Sequence, residues 1–438
     1  MFLTAPRGLS KRVIITLVSA LLFAVGYFRF YFSYEHWYLS SGDRVLSNIK
    51  FSQSQPSTAQ TTSIRTDSAI ISLVRNEELD GIVSSMRQLE ASWNSKYNYP
   101  WIFFNNVPFS EEFKARTQAE TEAECRYGNA RLIVGVLGLE LIPEEHWAVP
   151  DWIDPDLLKQ ATRKMKKQGI KYAGLLSYHQ MCRWNSGFFY RHPALEAYKY
   201  YWRVEPDVKF FCDITYDPFQ FMADHNKTYG FTINIFDDPS SVASLWPETQ
   251  SFLKSHPDYL SADNSLMWLT DRTLRPDHTN TANGYSTCHF WSNFEIGDLD
   301  FWRSEKYQQY FEHLDQSGGF FYERWGDAPV HSIALGLFED NSRIHWFRDI
   351  GYQHPPYINC PDTSSSSSGG AASGTCQNCK PNIFTHSWGV MNEDCRVNWF
   401  RQMCQSRTRH RSTMLPDEDE ICRQAMNFGA FSGGVKYI

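Results

Sequence analysis

Glu205-Pro206-Asp207 sets two carboxylates one residue apart, after an aromatic stretch (Tyr198, Tyr200, Tyr201, Trp202) and before Val208-Lys209-Phe210-Phe211. At a strand end, such a pair can hold a hard divalent cation against a diphosphate. A nucleotide-sugar transferase needs that cation, because its leaving group is a nucleoside diphosphate. That chemistry puts Asp207 on the donor side. Alone the triplet is weak, since most such pairs are surface charge. In Tyr178-His179-Gln180-Met181-Cys182-Arg183-Trp184-Asn185-Ser186-Gly187-Phe188-Phe189, Arg183 has the fork that grips phosphate by two bonds. Ser186-Gly187 suggests a tight turn where backbone approaches something closely. The plainer reading is a buried strand with a salt-bridged arginine. In Cys288–Asp298, Glu295 sits between apolar residues. It is either paired in the core, which pattern alone favours, or working in a cleft. In Gly351-Tyr352-Gln353-His354-Pro355-Pro356, the prolines hold His354 extended. That suits a ligand that must not wander, although a lone histidine is more often structural. Cys360, Cys376, Cys379 and Cys395 could bind zinc or form disulfides.

The elements that must position these residues read as α/β. Ser68–Val74 is an apolar run of strand length. A helix follows, with Leu79, Ile82, Val83, Met86 and Leu89 on one face. A second strand covers Tyr99–Phe104. This alternation predicts a largely parallel sheet. Residues 154–168 predict a basic amphipathic helix whose lysines and arginine form a solvated face. Thr363–Gly374 is a Ser/Gly-rich surface loop.

The chain has 438 residues, 42% of them hydrophobic, enough for a sizeable core. The net charge of −7 argues against nucleic acid as the main partner. Arg7, Lys11 and Arg12 precede an apolar stretch, residues 13–33, broken by Arg29. About 20 helical residues cross a bilayer, and positive charge before the span keeps the N-terminus cytosolic. The organisation expected is a cytosolic tail (1–12), a signal anchor (13–33), a polar stem (34–67), a catalytic body (68–400) and an appendage (401–438). A cleaved signal peptide is the other reading, with Ala24-Val25-Gly26 as its cleavage site. A lumenal body favours disulfides for most of the ten cysteines. Asn226-Lys227-Thr228 is a glycosylation sequon at Asn226.

The motifs taken together resemble the fungal Golgi α-1,2-mannosyltransferases. The resemblance runs through Leu73-Val74-Arg75-Asn76-Glu77-Glu78-Leu79, Tyr99-Pro100-Trp101, Tyr178 to Phe188, Tyr201 to Asp207, Asn293 to Gly297, Gly326-Asp327-Ala328-Pro329-Val330-His331-Ser332 and Gly351 to Pro356. It covers roughly residues 68–400. It implies a glycosyltransferase A fold, with a mixed sheet flanked by helices in a single large catalytic domain. It also implies Mn2+, GDP-mannose as donor and retention at the anomeric carbon. By the resemblance Glu205 and His354 are metal ligands. Glu295 is the candidate nucleophile, and Tyr178 lies by the reacting sugar. Arg75, Arg183 and Asp207 fall to the donor and Asp327 to the acceptor. The implied partners are mannose-bearing glycans and the Golgi membrane, with the catalytic domain lumenal. The sequence departs from the family at Asn105-Asn106-Val107, where an acidic pair is usual.

Two other readings remain. A glycoside hydrolase would also use two carboxylates and aromatic platforms, but would not need Glu205-Pro206-Asp207 with a metal. A catalytically dead lectin-like protein would keep the aromatics and lose the metal and nucleophile residues.

Overall fold

An apolar run with no polar break suits a strand buried on both faces, and Ser68–Leu73 (β1) is buried along nearly its whole length. The computed structural model describes residues 67–127, 141–273 and 275–361, and beyond them Cys376, Cys395, Trp399, Gln402 and Cys404. The expected tail, anchor and Ser/Gly tract lie outside the described residues, as do all of the stem but Asp67 and all of the appendage but Gln402 and Cys404.

The remaining strands are β2 (Trp101–Phe104), β3 (Cys125–Arg126), β4 (Tyr200–Val204), β5 (Lys209–Phe210), β6 (Tyr229–Phe231), β7 (Asn234–Phe236), β8 (Cys288–Phe290), β9 (Phe294–Asp298), β10 (Ile344–Trp346), β11 (Tyr352–His354) and β12 (Tyr357–Asn359). The main sheet has the order β10-β6-β9-β4-β1-β2-β3. Its pairs are parallel except at β9, which runs against both β4 and β6. A small antiparallel sheet, β12-β11-β5, and the pair β7-β8 complete the strands.

The helices that bear on the site are α1 (Leu79–Ser92), α2 (Pro155–Lys167), α3 (Leu176–Gly187), α4 (Glu305–Ser317) and α5 (Asp327–Phe338). Side chains alternate across a strand, and the core divides accordingly. Ile70, Trp101, Phe103, Trp202, Phe294 and Ile296 pack in one layer with Ile82, Val83, Met86 and Leu89 of α1. Ala69, Ile71, Ile102, Phe104 and Tyr201 pack in the other with Trp184 of α3, Phe311 of α4 and Val330 of α5. The sheet is therefore covered on both faces, α1 on one and α3, α4 and α5 on the other.

The apolar stripe expected over Leu79–Leu89 is the buried face of α1. In α2, Asp154 accepts from the amides of Asp156 and Leu157, and Pro155 occupies the first turn. Only Met165 of α2 is buried, as a solvated basic face requires. The Tyr178–Gly187 run differs from expectation. It is helix, and Ser186-Gly187 is the helix end rather than a tight turn. The close approach is real, since a Cβ on Gly187 would lie 1.9 Å from the Phe311 ring.

The cysteine question resolves as disulfides. Cys212 bonds Cys376 and Cys288 bonds Cys395, and Cys360 and Cys404 are also disulfide-bonded. That excludes the zinc reading for Cys360, Cys376 and Cys395. Cys379 lies outside the described residues.

Candidate active site

Strand β4 runs through the middle of the sheet and ends at Val204, so Glu205 leaves at its C-terminal edge. That edge is where open α/β sheets bind ligands. Tyr201, Arg203 and Glu205 alternate onto one face, the face covered by α3, α4 and α5. Arg203 is buried there, and a buried guanidinium needs anionic partners. Its Nη2 donates to Glu205 Oε1 at 2.5 Å. Its Nη1 donates to Asp327 Oδ2 at 2.5 Å and lies 3.9 Å from Glu295 Oε1.

The three carboxylates arrive by different routes. Glu205 follows Arg203 on the same strand face. Glu295 stands directly opposite Arg203 in the antiparallel β4–β9 register. Asp327 comes from the first turn of α5, where it also accepts from Ser292 Oγ at 2.7 Å. His331 lies four residues after Asp327, on the same helical face, and reaches Glu295.

Glu295 is 1% exposed. Its Oε2 accepts from the Tyr229 hydroxyl at 3.0 Å and faces His331 Nδ1 at 3.1 Å. His331 Nε2 lies 3.0 Å from the Asn185 carbonyl. A carbonyl only accepts, so Nε2 carries a proton. The Nδ1–Oε2 bond needs a second proton, carried by either the imidazole or the carboxyl. Arg203 is one cation set against two carboxylates, Glu205 and Asp327, so this part of the cluster has a formal excess of negative charge.

His354 reaches Glu205 through β11, which pairs antiparallel with β5 just after Asp207. Its Nε2 is 3.5 Å from Glu205 Oε2. Its Nδ1 donates to the Pro355 carbonyl at 3.1 Å, which leaves the Nε2 lone pair of the neutral ring toward Glu205. Trp291 packs edge-on against His354 at 4.8 Å. Burial works against charge on Glu205, but Arg203 and His354 outweigh it and bring its pKa down to about 2. Burial also lowers the His354 pKa, yet the hydrogen bond and charge of Glu205 raise it above the ordinary imidazole value.

This donor set fits a divalent cation. One ionised carboxylate oxygen and one imidazole nitrogen converge, both partly exposed, in a net-negative cluster. Among the described residues no group of three or more His, Cys, Asp and Glu could enclose a metal. A cation held by so few protein groups takes its other ligands from substrate phosphate and water.

Asp207 is exposed, with φ of 61°. Its amide bonds the Gly81 carbonyl, and its carboxylate rests against Gly81 of α1. Arg75 lies two residues beyond the end of β1, at the same sheet edge, and is exposed, paired with Glu78 at 2.9 Å. Tyr178 sits in the first turn of α3, stacked on Tyr172 at 4.6 Å. Asn226 is exposed on a turn, while Thr228 of the same sequon is buried and bonds Glu339.

Two of the expected site residues are buried and already partnered within the protein. Arg183, expected at the donor, is 2% exposed. It pairs with both oxygens of Asp315 at 2.7 and 2.8 Å, so its fork is already filled. Asp327, expected at the acceptor, is also buried and engaged by Arg203 and Ser292. It holds the cluster together. The sequence reading missed Arg203, Tyr229, Ser292 and His331. The i, i+2 spacing of Arg203 and Glu205 and the i, i+4 spacing of Asp327 and His331 were the available signals.

The sequence profile described as glycolipid 2-alpha-mannosyltransferase matches residues 41–403. The chain belongs to this family. The probable mannosyltransferase KTR4 of Saccharomyces cerevisiae is 45% identical over 76% of this chain and 68% of its own length. The O-glycoside alpha-1,2-mannosyltransferase omh1 of Schizosaccharomyces pombe is 47% identical over 68% of this chain and 71% of its own. Among solved structures, core-mannan synthase A of Aspergillus fumigatus, in a Mn/GDP form, shares 58% identity with a TM-score of 0.72. It covers 78% of this chain and 87% of its own. Ktr4p of S. cerevisiae in complex with GDP shares 39% identity with a TM-score of 0.76, over 88% and 94%. Membership of a transferase family sets aside the hydrolase and lectin-like readings. The mixed sheet with helices on both faces is the architecture the family resemblance implied.

Proposed function

We propose that this chain transfers mannose from GDP-mannose to a mannose-bearing glycan with retention, forming α-1,2 linkages in protein mannosylation and mannan synthesis. The observation that carries this reading is the convergence of Glu205 Oε2 and His354 Nε2, 3.5 Å apart at the end of β4. A manganese ion bound there offsets the charge that develops on the departing diphosphate. Arg75, on the same sheet edge, is free to exchange Glu78 for a nucleotide phosphate. Arg203 fixes Glu205 from within. Glu295 and Tyr178 serve the sugar. The test is GDP release by the purified protein from GDP-mannose, with methyl α-mannoside and manganese. An α-linked dimannoside whose formation stops with chelator is the expected product. No GDP release, together with no GDP binding, would remove the reading.

We further infer a single-pass Golgi membrane protein with a lumenal catalytic body. The basic residues before residues 13–33 support it, as do the disulfides, which persist in oxidising compartments. In sealed microsomes the body should resist protease until detergent is added. Digestion without detergent would oppose this topology.

A further inference from the structure

A second buried arginine lies outside the Arg203 cluster. Arg324 precedes α5 and is 8% exposed. Its Nη2 donates to Asp237 Oδ1 at 2.9 Å and to Ser241 Oγ at 2.6 Å. Its backbone amide bonds the Ser241 carbonyl at 3.2 Å. Arg324 is thus fixed at three points on the segment after β7, two through its guanidinium and one through its backbone. Its Nη1 then lies 3.5 Å from the Tyr178 hydroxyl, and its carbon sits 5.9 Å from the ring centre. Its Nε is buried without a partner among the described residues, so this fork is not satisfied by the protein alone. Tyr172 stacks on Tyr178 with an interplanar angle of 17°. The Tyr178 ring is thereby held between a tyrosine and an arginine.

An arginine donates and cannot accept. In the Arg324–Tyr178 bond the phenol oxygen must therefore be the acceptor, which leaves the phenol proton free to point elsewhere. Three residues after Arg324 the chain enters the catalytic cluster at Asp327. We propose that Arg324 is a positioning residue for mannosyl transfer, anchored by Asp237 and Ser241 so that it aims the Tyr178 hydroxyl as a donor at the reacting sugar. This inference rests on the mannosyltransferase reading. It differs from a plain salt bridge, which would hold the loop and owe nothing to Tyr178.

A double-mutant cycle separates the two. Arg324→Gln in the wild-type background is expected to lower kcat on the order of 100-fold, the scale of a misaimed group. GDP affinity should stay unchanged. In the Tyr178→Phe background, which lacks the hydroxyl, the same substitution should cost less than about 2-fold, because coupled residues are not additive. Arg324→Lys should recover part of the loss. Equal losses in both backgrounds, or a loss that follows GDP affinity, would overturn the proposal. If Arg324→Gln does not yield protein that binds GDP, Asp237→Asn replaces it in the same cycle with the same two outcomes. A wild-type protein that neither releases GDP from GDP-mannose nor binds GDP would remove the function reading itself, and this inference with it.

Discussion

Glu205→Gln is expected to lower manganese-dependent turnover by roughly 10³-fold, since a bound metal supplies several kcal/mol of charge stabilisation to the transition state. The substitution keeps shape and removes the anionic oxygen that faces His354 at 3.5 Å. Manganese titration should show a matching loss of affinity, and excess manganese should restore part of the rate. A variant with normal metal affinity and normal turnover would refute the ligand role. The same pair sets a pH dependence. Glu205 is ionised down to about 2, so it does not limit metal binding near neutrality. His354 must be neutral to offer Nε2, and Glu205 raises its pKa. Manganese affinity should therefore fall as pH drops through that raised value. In Glu205→Gln the midpoint should move to lower pH, because the partner that favoured imidazolium is gone. For stability without metal the signs oppose. The depressed Glu205 contributes above its unfolded pKa and is lost as pH falls toward about 2. The raised His354 contributes below its unfolded pKa and is lost as pH rises through the folded one.

The limits of sequence reading follow from the same geometry. α1 was legible because it buries one stripe against one sheet face, and a stripe leaves a 3.6-residue period. α3 was not. Its last six residues, Cys182–Gly187, are all buried, so no polar face marks the period. Its aromatic content then imitates a strand. Glu205 and His354 were visible by residue type and by the resemblance. Their meeting depends on the β5–β11 pairing, which joins strands far apart in sequence. Arg183 and Arg203 show the limit most directly. Both are buried arginines next to aromatic residues, and residue type cannot tell them apart. Partners can. Arg183 meets one carboxylate, Asp315, through Nε and Nη2, and turns Nη1 to backbone carbonyls. Arg203 divides its arms between Glu205 and Asp327, which places it in the site. The disulfide Cys212–Cys376 spans 164 residues, a separation at which spacing carries no information about pairing.

Glu295→Gln is the cleanest test of charge in this site. Glu295 Oε2 meets Tyr229 and His331, and His331 Nε2 is committed to the Asn185 carbonyl. An amide nitrogen in place of that oxygen can donate to Nδ1 of a neutral His331, and the Tyr229 oxygen can turn to accept. The hydrogen-bond pattern survives, so the variant should fold with a melting temperature close to wild type and bind GDP normally. What disappears is the titratable carboxyl. Whether it attacks the anomeric carbon or faces the sugar cation as a fixed charge, transfer should slow by about 10²–10⁴-fold. A further measurement divides those two roles. A side chain whose Oε2 is engaged by both Tyr229 and His331 and that is 1% exposed is poorly placed to leave its partners and form a bond. Wild-type enzyme given GDP-mannose without acceptor is therefore expected to show no mannose adduct on Glu295 by mass spectrometry, and a stoichiometric adduct would establish the covalent route. Near-normal turnover in Glu295→Gln would remove this residue from the chemistry and leave it as the buried counter-group of Arg203.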